Sequence, residues 1–282
     1  MLDALRRASA SQEARGTTAV FLSQIVLNLS LFIVVFLASV AFNAAEFARL
    51  SLALAWVSVV ANLLSFGFDQ AAMKLGLERG SNGFIALNLY LKGAILIASL
   101  TLSLVAWAAA FQPSQAVVLL AASGTAFWTS TRVVEQYRRE FARLAALNLA
   151  LAASRMVVGG LALLTQSWAM IVVALHLLAQ LPVHMFAFAR LARALRGQAT
   201  LRHLPPMIRT APVMFLSSAL FNAVPVVMQQ TMYGRSQIEA TAMFGIVLLF
   251  SAPVVLMVAT LRMHLLPHVL GAGSREIGRA HV

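Results

Sequence analysis

Long apolar stretches recur along the chain, and each is interrupted by charged residues, proline or a polar cluster. A helix needs about 20 apolar residues to cross the hydrocarbon core of a bilayer, which is the length of these stretches. The pattern therefore predicts an all-α protein, a polytopic bundle of transmembrane helices. The eight predicted spans are Thr18–Ala41, Leu50–Ala71, Phe84–Phe111, Gln115–Val134, Ala145–Thr165, Trp168–Ala189, Ala211–Tyr233 and Ala240–Leu261.

The composition agrees with this pattern, because 61% of the 282 residues are hydrophobic and only 11% are charged. A soluble domain carries about 25% charged residues to solvate its surface. The chain has no cysteine, which excludes disulfides and thiolate metal sites. Its histidines do not combine with acidic residues in a metal-binding motif, so we expect no metal and no cofactor.

The basic residues fall almost entirely on one side of the predicted spans, and only Arg49 and Arg235 lie on the other side. By the positive-inside rule, the N-terminus and the basic loops are cytoplasmic. Anionic lipid headgroups then account for the net charge of +12, and no nucleic-acid partner is expected. The residues on the basic side are Arg6, Arg7, Arg15, Lys74, Arg79, Arg132, Arg138, Arg139, Arg143, Arg190, Arg193, Arg196, Arg202, Arg209 and Arg262.

A basic, proline-containing segment, RLARALRGQATLRHLPPMIRT at 190–210, separates six predicted spans from two. The segment is too polar to cross a membrane. We interpret it as a cytoplasmic linker between two lobes. The first is a six-helix N-terminal lobe at residues 1–189, and residues 211–273 form the first two helices of a second lobe.

The span after the linker repeats features of the first span. FLSQIVLN at 21–28 and FLSSALFN at 215–222 share Phe, Leu, Ser and Asn at the same offsets. With a one-residue gap, this alignment also places Glu46 opposite Glu239, and each glutamate opens an apolar span. Many transporters are built from repeated halves, so we expect the second lobe to repeat the first.

The second half contains two predicted spans, whereas a repeat of the first half requires six. We therefore expect the chain to be truncated. Its last residues, EIGRAHV at 276–282, can be encoded by codons that resemble the read-through of a sequencing adapter. We interpret residues 274–282 as a non-native tail that makes no packed contact with the helices.

The second, seventh and eighth spans carry a resemblance to a known family. GFDQAAMK at 67–74 is similar to the G-F/L-D-x-A-x-x-R/K type of segment that ends the second helix in that family. Residues 211–253 and LRMHLLPHV at 261–269 are similar to its seventh and eighth helices, including Pro267. Up to about Gly273, the chain resembles the polysaccharide flippases of the multidrug/oligosaccharidyl-lipid/polysaccharide exporter superfamily, the group that contains the O-antigen translocases.

This resemblance implies a flippase that moves a lipid-linked oligosaccharide across the bacterial cytoplasmic (inner) membrane by alternating access of two lobes. Such a protein would serve the biosynthesis of a surface polysaccharide, such as the O-antigen of lipopolysaccharide. Polysaccharide assembly proteins are then candidate partners.

Two other functions fit the sequence less well than the flippase. An ion-coupled drug or small-solute antiporter of the same superfamily would be favoured by a carboxylate deep in a span. The sequence predicts none, because Asp69 is expected at the level of the headgroups. An enzyme is not expected, since the chain shows no P-loop, no nucleophile with a base and no paired carboxylates in a soluble cleft.

Charged side chains inside the bilayer are candidate substrate-binding residues, because each is costly to insert there. Arg155 lies near the middle of the fifth span, with Asn148 and Gly159 on the same helix face. We expect Arg155 to face the cleft between the lobes and to bind the pyrophosphate of the substrate, with Asn148 beside it. The alternative is that Arg155 hydrogen-bonds carbonyls or amides inside the six-helix lobe.

Three further charged residues lie near span ends. Lys92 lies about two turns into the third span, so it either contacts the substrate or extends to the cytoplasmic headgroups. Arg132 and Glu135 are close enough in sequence to pair, and we expect them to stabilise a helix end.

Amide side chains on the first and seventh spans form a second group of candidate substrate contacts. As a set, we interpret them as a polar wall of a water-filled cleft, where amides meet sugar hydroxyls. Taken singly, each also fits a hydrogen bond that joins two helices. The residues are Gln24, Asn28, Asn222, Gln229 and Gln230.

Overall fold

A computed structural model describes the backbone of residues 2–108 and 113–250, with the side chains of 15–106, 114–216, 219 and 223–250. Within these ranges the chain is helical and contains no strand. A π-helix at Ala174–Leu178 follows α7, and a 3-10 helix at Leu201–His203 precedes α9. The α-helices are α1 (Leu2–Ala41), α2 (Ala44–Ser65), α3 (Phe68–Arg79), α4 (Asn82–Ala108), α5 (Pro113–Tyr137), α6 (Phe141–Leu163), α7 (Trp168–Val173), α8 (Leu181–Ala194), α9 (Leu204–Gly234) and α10 (Ile238–Phe250).

Six helical segments of the described chain are long and apolar enough to cross a membrane. Each overlaps one of the first six predicted spans, so the predicted all-α, multi-pass helix bundle is confirmed. The sixth segment combines α7, the π-helix and α8. The six segments are Arg15–Ala41, Ala44–Ser65, Asn82–Ala106, Ser114–Tyr137, Phe141–Leu163 and Trp168–Ala194.

The second span differs from its prediction at both ends. It begins at Ala44, because the Asn43 side chain caps the helix by accepting a hydrogen bond of 2.9 Å from the Glu46 backbone nitrogen. It ends at Ser65, where Phe66 and Gly67 adopt left-handed φ values of 43° and 71°. These two residues stop α2 and start the separate helix α3, so the predicted continuation to Ala71 is wrong.

Gly67 also marks a close contact between α3 and α9. A Cβ atom at this position would meet the carbonyl oxygen of Ala211 and the backbone nitrogen of Phe215. The Phe66 ring stacks on the Phe215 ring, with 5.1 Å between the centroids. Glycine is therefore required both by the backbone conformation and by the approach of α9.

Helix α5 is the most buried of the six spans and contacts α2, α4 and α8. Helix α2 also contacts α9, while α1 lies along α6. Ala48, Ala53 and Ala61 on α2 are buried in the largest apolar core cluster. Small side chains of this kind let membrane helices approach closely. The spans α1–α8 thus form one bundle, which we call the six-span bundle.

The segment between the sixth and seventh spans is more ordered than a free linker. Helix α8 extends to Ala194 and α9 begins at Leu204, so only part of 190–210 lies outside α-helices. Met207 is fully buried in the core cluster around α3 and α4. The His203 ring packs 4.6 Å from the Phe84 ring, measured between centroids. This segment therefore docks on the six-span bundle.

The predicted second lobe is represented by α9 and α10. Glu46 lies in the first turn of α2 and Glu239 in the first turn of α10, as the internal repeat predicted. A carboxylate at this position complements the helix dipole. The remainder of the eighth predicted span, Pro267 and the predicted tail at 274–282 lie outside the described residues, and the division into lobes stays a prediction.

Candidate functional site

A polar cavity of about 240 Å³ lies between α2, α3 and α5. All of its lining residues except Ala61 and Gly67 carry polar side chains. Ser58 and Gln70 are exposed at its rim, whereas Asp69 is buried. The lining residues are Ser58, Ala61, Asn62, Ser65, Gly67, Asp69, Gln70, Thr125 and Thr129.

The spacing of the lining residues explains how the cavity forms. Ser58, Ala61, Asn62 and Ser65 follow one another at i, i+3, i+4 and i+7, which places them on one face of α2. Thr125 and Thr129 occupy one face of α5 in the same way. The break at Gly67 then turns the chain, so that the first residues of α3 close one end of the cavity.

A buried ion pair adjoins this closed end. The Lys92 ammonium group on α4 lies 3.1 Å from Asp69 Oδ2 and donates a hydrogen bond of 2.6 Å to Ser65 Oγ. Asn88 Nδ2 donates a hydrogen bond of 2.7 Å to Asp69 Oδ1. The Lys92 side chain is fully buried and that of Asp69 is 7% exposed. The network joins α2, α3 and α4 and leaves the pair without net charge.

This geometry bears on two expectations. Asp69 lies on α3, beyond the end of the second span at Ser65, and it is buried beside Lys92. Lys92 does not extend to the headgroups, because its ammonium group is held by Asp69 and Ser65. A pair of this kind is strongly coupled, since removing one partner leaves the other as an uncompensated buried charge.

The neutral lining groups of the cavity keep much of their hydrogen-bonding capacity. Among the described residues, the side-chain amides of Asn62 and Gln70 form no hydrogen bond. Thr125 Oγ1 and Thr129 Oγ1 each donate to the backbone carbonyl four residues earlier, at 3.0 Å, and Thr125 Oγ1 also lies 3.1 Å from His176 Nδ1. The Thr129 oxygen remains able to accept from a ligand. The lining can therefore both donate and accept hydrogen bonds.

Arg155 does not line this cavity. Its Nε lies 3.4 Å from the Leu175 carbonyl oxygen, and the residue is only 7% exposed. With the Gln180 amide oriented so that its oxygen faces Arg155, this oxygen accepts from Arg155 Nη2 at 3.2 Å, and the amide nitrogen donates to the carbonyls of His176 and Gly124 at 3.3 and 3.1 Å. The guanidinium group thus binds inside the six-span bundle. Arg155 thus hydrogen-bonds a carbonyl inside the six-helix lobe, which was the alternative to the expected position on the cleft between the lobes.

The π-helix supplies the physical reason for this position. Its i→i+5 pattern interrupts the regular helical hydrogen bonding of the sixth span, and both Leu175 and His176 belong to it. Arg155 and Gln180 then provide donors for the carbonyl oxygens of these two residues. Arg155 therefore satisfies one buried backbone acceptor, the Leu175 carbonyl, at a point where the helix is irregular.

Asn148 and Gly159, on the same face of α6, also serve helix packing. Asn148 is fully buried, and its Nδ2 donates a hydrogen bond of 3.0 Å to Ser23 Oγ on α1. A Cβ atom at Gly159 would meet the side chains of Val34 and Leu175. The face therefore contacts α1 and the π-helix.

The predicted amide wall is distributed over two helix contacts. On α1, Gln24 Nε2 donates to Asn28 Oδ1 at 3.0 Å. On α9, Gln229 Nε2 donates to Ser51 Oγ at 2.6 Å, and Gln230 Oε1 accepts from the indole nitrogen of a tryptophan on α2 at 3.0 Å. None of these residues lines the polar cavity. The Asn222 side chain lies outside the described residues.

Glu135 has a different partner from the one predicted. It is fully buried and forms an ion pair with Arg190 on α8, which also lies 3.1 Å from Glu140. The Arg132 guanidinium carbon instead lies 5.9 Å from the centroid of the Trp128 ring. Glu135 thus links α5 to α8 through its ion pair with Arg190.

Sequence reasoning missed the cavity residues, although the i, i+3, i+4, i+7 pattern of Ser58, Ala61, Asn62 and Ser65 was a visible signal. Serine is common where membrane helices pack, which makes this signal weak. No protein-family model, curated protein or solved structure matches this chain.

Proposed function

We propose that this protein is a flippase that moves a lipid-linked oligosaccharide across the bacterial cytoplasmic membrane for surface polysaccharide biosynthesis. In this proposal the N-terminus is cytoplasmic and transport proceeds by alternating access between two helical lobes. The observation that carries the proposal is the polar cavity, because hydroxyl and amide groups line an open space inside a bundle of membrane helices.

The chemistry of the cavity suits a glycan. Polar groups in a membrane protein are costly, and they mark a substrate pathway when they line a cavity. Each sugar hydroxyl both donates and accepts hydrogen bonds, as do the hydroxyl and amide groups of Ser58, Asn62 and Thr129. The resemblance of the segment 67–74 to the polysaccharide flippases points to the same substrate class.

The position of α9 supports an alternating-access mechanism. This helix begins the predicted second lobe, and it packs against α2 and α3, two of the helices that line the cavity. Ser51 bonds Gln229 near one end of α2, and Gly67 contacts Ala211 beyond the other end. A movement of α9 against the six-span bundle would therefore change access to the cavity.

An ion-coupled antiporter is the second candidate, because Asp69 is a buried carboxylate of the kind that coupling to protons or sodium requires. Asp69 lies on α3, beyond the end of the second span at Ser65. Lys92 neutralises Asp69 in the structure. The two candidates differ in their substrates, so a transport assay separates them.

The test uses proteoliposomes that contain the purified protein with both lobes and a lipid-linked oligosaccharide. A membrane-impermeant glycosidase, added outside, digests only glycans that reach the outer leaflet. We expect the protein to increase the digested fraction with time, and Thr129→Val to slow this increase. Thr101→Val is the matched control, because Thr101 is exposed on α4 and its hydroxyl also donates to the carbonyl four residues earlier, at 3.0 Å.

The opposite result would overturn the proposal. If the digested fraction equals that of protein-free vesicles, the flippase function is wrong. If the same vesicles then move a cationic dye against an imposed proton or sodium gradient, the antiporter is the correct alternative.

A further inference from the structure

We propose that the polar cavity between α2, α3 and α5 is a subsite for one neutral sugar residue, a hexose or an N-acetylhexosamine, and that it discriminates against acidic sugars. The inference rests on the proposed transport of a glycan and adds the chemical class of the unit that is recognised. It is carried by the size of the cavity, by its hydrogen-bonding groups and by the neutrality of the buried pair beside it.

The size of the cavity limits what enters it. Pockets for drug-sized ligands begin at roughly 300 Å³. The cavity, at about 240 Å³, is smaller than this and suits one ring rather than a chain of sugars. Ser58 and Gln70 are exposed at the rim, whereas Gly67 and Asp69 are buried. One ring can therefore sit inside while the rest of the glycan leaves past the rim.

The hydrogen-bonding groups fit an uncharged, hydroxyl-rich ligand. The amides of Asn62 and Gln70 have no partner among the described side chains and backbone groups, and each offers two donors and one acceptor. The hydroxyl group of Ser58 makes only a long hydrogen bond of 3.4 Å, to the Leu54 carbonyl. A sugar ring would satisfy these groups through several hydroxyls at once.

The buried ion pair explains the discrimination against acidic sugars. Both oxygens of Asp69 are already bound, one by Asn88 and the other by Lys92. Lys92 is fully buried and does not line the cavity, and Asp69 is the one charged residue among those that do. A ligand carboxylate or phosphate in the cavity would therefore lie near a carboxylate and have no cation of its own, which is unfavourable.

Binding is tested on the purified chain in detergent, by saturation-transfer NMR titration with four probes. The neutral probes are methyl glucoside and N-acetylglucosamine, and the acidic probes are glucuronate and glucose 1-phosphate. We expect saturable binding of at least one neutral probe, and at least tenfold weaker binding of both acidic probes. Asn62→Ala and Thr129→Val should each weaken neutral binding about fivefold, as expected for the loss of one hydrogen bond.

The control variants show whether a loss is specific. Thr101→Val should bind as the parent chain does, since Thr101 lies on α4 away from the cavity. All variants are compared at equal helix content and equal elution volume, so a misfolded variant is recognised and replaced by Ser58→Ala. Equal binding of acidic and neutral probes, or no binding of any neutral probe, would overturn the inference.

The outcomes also separate this inference from the proposed function. Specific binding of a neutral probe without translocation of a lipid-linked glycan would support the subsite and contradict the flippase function. Translocation that persists in Asn62→Ala and Thr129→Val, with unchanged probe binding, would support the flippase function and contradict the subsite.

Discussion

The ammonium group of Lys92 lies 3.1 Å from the carboxylate of Asp69, and both side chains are buried among α2, α3 and α4. Lys92 also reaches Ser65, and Asp69 is held by Asn88. The pair therefore fixes the start of α3, the element that closes one end of the polar cavity. The same ion pair therefore affects both the stability of the bundle and the shape of the polar cavity.

Breaking this pair should strongly destabilise the protein. Lys92→Met leaves Asp69 as a buried, unpaired charge, so the free energy of unfolding should fall by about 3 to 5 kcal/mol. Lys74→Met is the matched control, because Lys74 forms a surface pair with Glu78 at 3.9 Å, which is worth about 0 to 1 kcal/mol. Denaturant unfolding in detergent micelles measures both losses. Equal losses in the two variants would contradict the buried position of the pair.

Gly67 is expected to tolerate no side chain. Gly67→Ala adds a Cβ atom that meets Ala211 and Phe215 on α9, in addition to the cost of a left-handed φ of 71°. Gly80→Ala is the control for the cost of a left-handed backbone without a steric clash, since Gly80 has a φ of 59° and open space around it. The conformational cost is about 1 to 2 kcal/mol at each site.

Thermal unfolding of the two glycine variants separates these effects. We expect Gly67→Ala to lower the unfolding temperature clearly more than Gly80→Ala does. If the two variants lose the same stability, the close approach of α9 to Gly67 is not a determinant of the fold.

The six spans were predictable because their signal is long and local. Each needs only enough apolar residues to cross a bilayer, and loops with charged residues or prolines separate them. The break at Gly67 was not predictable in the same way. The sequence around it, LLSFGFD, continues an apolar run, and the left-handed backbone at Phe66 and Gly67 accompanies the tertiary contact with α9.

The candidate site was less predictable than the spans. Arg155 was expected to contact a substrate because an intramembrane charge needs a partner. Its partner in the structure is a backbone carbonyl of the π-helix, and no local sequence pattern in residues 174–178 predicts a π-helix there. Asp69 and Lys92 lie 23 residues apart, and only the packing of α3 on α4 brings them together.

Arg155 should therefore act on stability rather than on ligand binding. Arg155→Ala and Arg155→Lys both lose donors to the π-helix, and we expect each to lower the free energy of unfolding by about 1 to 3 kcal/mol. Arg143→Ala, on the same helix but exposed, should change it by about 1 kcal/mol or less. Probe binding per folded molecule should stay unchanged. An Arg155→Ala variant with full stability and lost binding would support a substrate contact instead.

The proposed orientation is tested on the cysteine-free chain, which allows single cysteines to be introduced without removing others. Arg196→Cys lies in the exposed segment before α9, and Ser236→Cys lies in the exposed turn after it. With a cytoplasmic N-terminus, a membrane-impermeant maleimide should label Ser236→Cys on intact spheroplasts. It should label Arg196→Cys only after permeabilisation, and the reverse pattern would invert the topology.

Locking α2 to α9 should stop transport if the two helices separate during the cycle. Ser51 Oγ and Gln229 Nε2 lie 2.6 Å apart, so cysteines at these positions suit a short, reducible thiol crosslinker. The control pair is Ser23→Cys with Asn148→Cys, which joins α1 to α6 inside the six-span bundle, where the present atoms lie 3.0 Å apart. Glycan translocation in proteoliposomes should stop on crosslinking the first pair, return on reduction, and continue in the control. Continued translocation by the fully crosslinked Ser51–Gln229 variant would show that α9 does not leave α2, and it would remove alternating access between these helices as the mechanism.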